Sequence, residues 1–242
     1  MGIALGVSFF LVALLYASIG YGGGSGYLAA MAVLGVEPGL MKPMALTLNI
    51  LVSSIGTFKF YRAGYFSGKI FWPIAAMSIP FAFLGGRLTL PTAVYRPIVG
   101  LILVYAAVRL FRSTRGAPLP PPRPMPVWVA LLAGAGIGLL AGLIGMGGGI
   151  FLSPLLLLAG WANTRQTMGV SAAFVLVNSV SGLLGHLSGV ASLPAGAPLW
   201  LAVVAVGGWI GAEYGSRRLD PAVLRRLLAL VLAIGGVRMI LF

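Results

Sequence analysis

Two short glycine-rich runs carry the strongest chemical signal in the chain. Ile19-Gly20-Tyr21-Gly22-Gly23-Gly24 recurs as Ile144-Gly145-Met146-Gly147-Gly148-Gly149, an offset of 125 positions. Consecutive glycines let backbone N–H groups turn toward a ligand with no side chain in the way. If a helix begins just after each run, its unbonded N–H groups and its dipole favour an anion. Ser25 follows the first run and adds a hydroxyl donor. The competing reading is close helix packing through small residues, and it suits Gly134, Gly138 and Gly142 well. For the paired clusters Gly22, Gly23, Gly24 and Gly147, Gly148, Gly149 the anion reading is preferred. Short, glycine-interrupted segments at matching places in two halves mark substrate sites in transporters.

Polar residues inside apolar stretches come next: Thr47, Asn49, Ser53, Ser54 and Thr57 in one half, Ser171, Asn178, Ser179, Ser181 and His186 in the other. Lipid satisfies no hydrogen bonds, so these groups should face the interior of a helix bundle. Serine and threonine can bond their own helix backbone. The amides of Asn49 and Asn178 cannot be fully satisfied that way, so both are candidates for the substrate path, together with Ser53, Ser181 and His186. His186 first reads as a hydrogen-bonded polar residue at a helix end, and second as a proton carrier or anion contact. Lys59, near the corresponding helix end, first reads as a snorkelling lysine and second as an anion attractor. Glu213 is the only acidic residue within an apolar span, and a structural pairing with Arg217 one turn on is preferred to a coupling role.

Other chemistries lack their residues. The chain has no cysteine and one histidine, so thiol catalysis and Cys- or His-cluster metal sites are excluded, and no cofactor is expected. No nucleotide-binding loop is present, so coupling to ATP would need another chain. The net charge of +13 comes from basic residues scattered between apolar runs, a pattern that does not fit a nucleic-acid-binding face.

The elements that would position these groups are membrane helices. Of 242 residues, 60% are hydrophobic and 8% charged, where a soluble domain carries about 25% charged residues. Apolar segments run roughly over 3–19, 25–36, 43–58, 70–86 and 96–111, then 127–144, 149–161, 167–186, 198–215 and 225–241. Two of them, 25–36 and 149–161, fall short of the ~20 residues a full span needs. The polar, proline-rich stretch 112–126 divides the chain into a first repeat at 1–111 and a second at 127–242. Further landmarks recur in order: Ser53 and Ser179 at offset 126, then Gly86, Ala93, Val94, Arg96 and Arg109 against Gly215, Ala222, Val223, Arg225 and Arg238 at offset 129. With ten crossings and the N-terminus outside, 12 basic residues fall on the inner side and 4 on the outer, the direction the positive-inside bias requires. The expected fold is therefore an all-α membrane protein of about ten transmembrane segments, some short or broken, in two inverted five-segment repeats. The linker would be cytoplasmic, both termini outside, and the location a plasma membrane. If the short segments are re-entrant, the halves would instead be parallel.

The pattern resembles the TauE/SafE family of sulfite and organosulfonate exporters. The resemblance rests on the duplicated Gly-x-Gly-Gly-Gly at 20–24 and 145–149, the Ser/Asn-bearing helix that follows each, and the closing stretches from Gly86 to Arg109 and from Gly215 to Arg238. It covers nearly the whole chain. One departure is Lys59-Phe60 where the second half has Gly185-His186. The resemblance implies export or exchange of a sulfur-containing oxyanion such as sulfite or an organosulfonate by a secondary transporter. An anion channel or a uniporter for another small organic anion is the alternative. The expected partners are a small anion and the lipid bilayer; a homodimer and the coupling ion stay open.

Overall fold

The computed structural model describes residues 2–88, 92–113, 122–186 and 196–241. Positions 114–121 of the predicted linker lie outside them. The described residues are helical, with no strand among them. In chain order the helices are α1 (Gly2–Ser18), α2 (Gly24–Val33), α3 (Pro38–Arg62), α4 (Gly68–Arg87), α5 (Thr92–Ser113), α6 (Val127–Ile144), α7 (Gly149–Leu158), α8 (Thr164–Gly185), α9 (Ala197–Glu213) and α10 (Pro221–Leu241). A π-helical turn, Tyr214–Arg218, extends α9. Five of these segments are long and apolar enough to cross a bilayer: Gly39–Arg62, Gly68–Arg87, Val127–Ile144, Thr164–Gly185 and Ala197–Arg218.

Local sequence explains several boundaries. Pro38 stands at the start of α3 and Pro221 at the start of α10, where the missing N–H costs nothing. Asn163 and Gln166 form a capping box at the start of α8, each side chain bonding the other's backbone N–H.

Glycine sets the closest seams. A Cβ on Gly134, Gly138 or Gly142 of α6 would overlap the carbonyls of Ile74, Ser78 and Ala82 on α4. On α9 and the π-helical turn that extends it, Gly207, Gly211 and Gly215 meet Phe10, Leu14 and Ser18 of α1 in the same way. Small residues let helix backbones approach until dispersion, rather than hydrophobic exclusion, binds them in a lipid-like surround. Packing is thus the role of Gly134, Gly138 and Gly142.

The same contacts fix helix directions. Rising numbers along both partners make α6 parallel to α4 and α9 parallel to α1. Gly208 against Val52 and Glu213 against Lys59 make α9 parallel to α3. Asn178 against Ser78 and Gly185 against Phe83 make α8 parallel to α4. Gly56 against Ala172, with Gly182 against Leu46, makes α3 antiparallel to α8. On α5 and α10 the order reverses: Gly100 meets Gly236, and Arg112 shares a groove with Arg226. Hence α1, α3 and α9 run one way and α4, α6 and α8 the other.

Charge divides along this axis. At one end, Arg165 bonds the Tyr65 hydroxyl and the Leu219 carbonyl, Arg225 bonds Thr164, and the Arg123 N–H bonds the Gly160 carbonyl. Lys42, Arg87 and His186 lie at the other end, where Lys42 Nζ donates to the Gly86 carbonyl at 3.3 Å.

Candidate functional site

Both glycine runs interrupt the helices, and both do so with the same backbone geometry. Gly23 caps α2 at φ 100° and Gly148 caps α7 at φ 83°, each in the left-handed region and without a side-chain cap. Only glycine adopts that conformation without a steric cost. The first N–H groups of a helix point out of its N-terminal end, so the starts of α2 and α7 each turn N–H donors toward the break.

The two breaks meet. A Cβ placed on Gly24 would lie 3.0 Å from the Met146 Cα and 3.2 Å from the Gly145 carbonyl oxygen. Between the breaks stands Asn49, the twelfth residue of the 25-residue α3 and so halfway along it. Its Oδ1 lies 2.5 Å from a Cβ position on Gly22, and its Nδ2 lies 2.7 Å from one on Gly24 and 3.3 Å from one on Gly147. Any side chain at these glycines would displace the amide. Asn49 is fully buried, and neither amide atom has a hydrogen-bond partner. An unsatisfied buried polar group costs about 1–3 kcal/mol, so the arrangement persists against a penalty.

Other polar groups gather at the breaks. The Tyr27 ring lies against Gly23 and the Ser179 hydroxyl against Gly147, and neither hydroxyl has a partner. Ser25 shares a 2.8 Å hydrogen bond with Tyr16. A cavity of about 10 Å³, room for one water, is lined by residues that include Tyr16, Tyr21, Gly22, Gly23, Gly24, Ser25, Gly149 and Val175.

The remaining sequence candidates lie elsewhere. The Ser53 hydroxyl bonds the backbone carbonyl of Asn49. Asn178 turns to α4, where its Oδ1 accepts from Ser78 at 2.7 Å, and Ser181 donates to the Ile79 carbonyl of the same helix. His186 caps the far end of α8. Sequence reasoning did not place Tyr27, Tyr16 or Val175 at the breaks. The signal for the tyrosines was a phenol in an apolar segment, a group that needs a partner in lipid.

The family profile described as "Sulfite exporter TauE/SafE" matches residues 5–239. The chain belongs to the TauE/SafE family. Its relatives include "Probable membrane transporter protein y4hK" of Sinorhizobium fredii, 41% identical over 241 residues that cover 98% of each chain. "Probable membrane transporter protein MJ0441" of Methanocaldococcus jannaschii is 23% identical over 253 residues, covering 96% of this chain and 92% of the relative. No solved structure matches. Together with the apolar helices, these likenesses make the chain a multi-pass membrane protein of a transporter family.

In this TauE/SafE chain the Lys42 stem lies against Gly145 of the second break, with its ammonium on the Gly86 carbonyl. Glu213 pairs with Arg217 at 3.4 Å, as its spacing predicts, and with Lys59 at 2.6 Å, which its sequence position does not reveal. Lys59 also lies over the Trp209 ring, 3.6 Å from its centroid, so its ammonium is paired by a carboxylate and a ring face. Beyond the end of α8, burial holds the His186 imidazole below its ordinary pKa; the Lys42 charge adds to that, and the Gly86 carbonyl opposes it.

Proposed function

We propose that the chain is a secondary transporter of a small anion, a sulfur-containing oxyanion such as sulfite or an organosulfonate, held where the two glycine breaks meet. The observation that carries this reading is Asn49: a buried amide without partners, set between the starts of two helices that lack a side-chain cap. An anion buried in a low-dielectric site needs donors close by; the Lys42 stem lies against Gly145 of the second run, but its ammonium is bonded to the Gly86 carbonyl. Backbone N–H groups, the Asn49 amide and the nearby hydroxyls are the donors available. The family description favours export and sulfite.

The helix directions support an inverted repeat. α1 runs opposite to α6, α3 to α8, α4 to α9 and α5 to α10. Two such halves in a bilayer would place ten passes across it, with α2 and α7 as half-helices that meet near its middle. The basic end, with Arg123 and Arg165, would face the cytoplasm. The cavity of about 10 Å³ between the breaks suits a closed state and not an open channel.

A ligand screen on the purified protein tests this reading. Ligands that bind the folded state raise its thermal midpoint. At least one of sulfite, thiosulfate, sulfoacetate and taurine should do so, and Asn49→Val should remove the effect. Stabilisation by small carboxylates alone would contradict the proposed substrate class.

A further inference from the structure

The chemistry of Asn49 restricts the ligand beyond its charge. A primary amide has a donor end and an acceptor end, and at Asn49 both ends are buried and unpartnered. Exchanging the two ends by rotating the amide leaves the same requirement: one end needs an acceptor, the other a donor. The neighbouring hydroxyls do not supply that donor. Ser53 is committed to the Asn49 backbone carbonyl, and Ser25 is bonded to Tyr16. Tyr27 and Ser179 do not bond the amide where they stand.

A fully deprotonated oxyanion offers acceptors only. It would satisfy Nδ2 and the N–H groups that open α2 and α7, but leave Oδ1 without a proton and facing negative charge. We infer that the ligand held at Asn49 is a monoanion that carries its own hydrogen-bond donor, a hydroxyl or N–H, as hydrogen sulfite or a hydroxy- or aminosulfonate does. This rests on the proposed site between the breaks. A single negative charge also lowers the desolvation cost relative to a dianion. Sites built to bond a ligand O–H or N–H reject the analogue that lacks it, because their own buried groups are left unpaired. The equivalent position in the second half is Val175, which touches Gly147 and Gly149, so the two halves do not impose the requirement twice.

The test uses isosteric ligand pairs on the purified full chain in proteoliposomes. Isethionate and propane-1-sulfonate differ by a hydroxyl in place of a methyl. Hydrogen sulfite and methanesulfinate, at mildly acidic pH, repeat the comparison at smaller size. Wild type should bind the donor-bearing member at least about tenfold more tightly in one or both pairs. Asn49→Val, which installs the residue already accommodated at position 175, should abolish that preference while keeping the thermal midpoint of the unliganded protein. Equal binding of both members by wild type, with both weakened in Asn49→Val, would overturn the donor requirement and leave the site standing. Binding unchanged in Asn49→Val, or no binding of any of the four by wild type, would overturn the site and the inference together.

Discussion

Asn49 and Val175, 126 positions apart, each lie against a glycine break, and only Asn49 is polar. The offset of 126 that aligns Ser53 with Ser179 also aligns this pair. Asn49 touches Gly22, Gly24 and Gly147, and Val175 touches Gly147 and Gly149. The two helix breaks thus converge on one amide.

Gly24 and Gly23 should respond differently to a methyl group. Gly23 lies at φ 100°, and a Cβ there would meet the Tyr27 ring at 2.7 Å. Gly23→Ala should cost about 1 kcal/mol or more in stability through backbone strain. Gly24 opens a helix, with no positive φ, but its Cβ would press on Asn49 Nδ2 at 2.7 Å and on Met146. Gly24→Ala should therefore reduce transport more than it lowers the thermal midpoint in detergent. A Gly24→Ala protein that transports as wild type does would show that the seam between the breaks is not on the path.

Lys59 and Glu213 lie 154 residues apart in sequence and 2.6 Å apart in the fold. The Lys59 side chain is 11% exposed, so removing its partner leaves a charge largely out of water. Glu213→Gln should lower the thermal midpoint, and the double variant Lys59→Met/Glu213→Leu should recover much of the loss, because an apolar pair replaces an ion pair more readily than half a pair survives. A loss in the double variant equal to the summed losses of Lys59→Met and Glu213→Leu alone would mean that the pair is not coupled.

The His186 environment gives a signed pH dependence. Its imidazole is held below the ordinary pKa of 6.5, so the folded state binds fewer protons there than the unfolded state. The corresponding stability is fully present above about pH 6.5 and is lost as pH falls through the lower folded value. His186→Gln should flatten the decline of the thermal midpoint between about pH 7 and about pH 5. An unchanged decline would assign it to other groups.

Much of the helix order was legible in the sequence, because long apolar runs separated by glycine, proline and charge have few other readings. The short segments after the glycine runs became α2 and α7, ten residues each. What the sequence hid was which face of each helix looks inward. Helices apolar all round carry little amphipathic signal, so Asn49 and Asn178 looked alike. One meets the breaks and the other bonds Ser78 across the α4–α8 seam. The alignment of the halves already separated them, since position 175, not 178, is the counterpart of 49. The Lys59–Glu213 pair was hidden for another reason: only the parallel packing of α3 and α9 brings those residues together.

On the proposed function, a small oxyanion passes between the two breaks under the control of Asn49. The most direct measurement is sulfite flux into proteoliposomes of purified protein, for wild type, Asn49→Val and Asn178→Val at equal incorporation. Wild type should show saturable flux. Asn49→Val should lose about tenfold or more of it, as expected where a hydrogen bond to a charged ligand worth about 1.5–3 kcal/mol is removed. Asn178→Val should be less stable, with the Ser78 hydroxyl left unpaired, yet carry sulfite at a rate near that of wild type. Flux that survives in Asn49→Val and fails in Asn178→Val would place the anion at the α4–α8 seam and contradict the account.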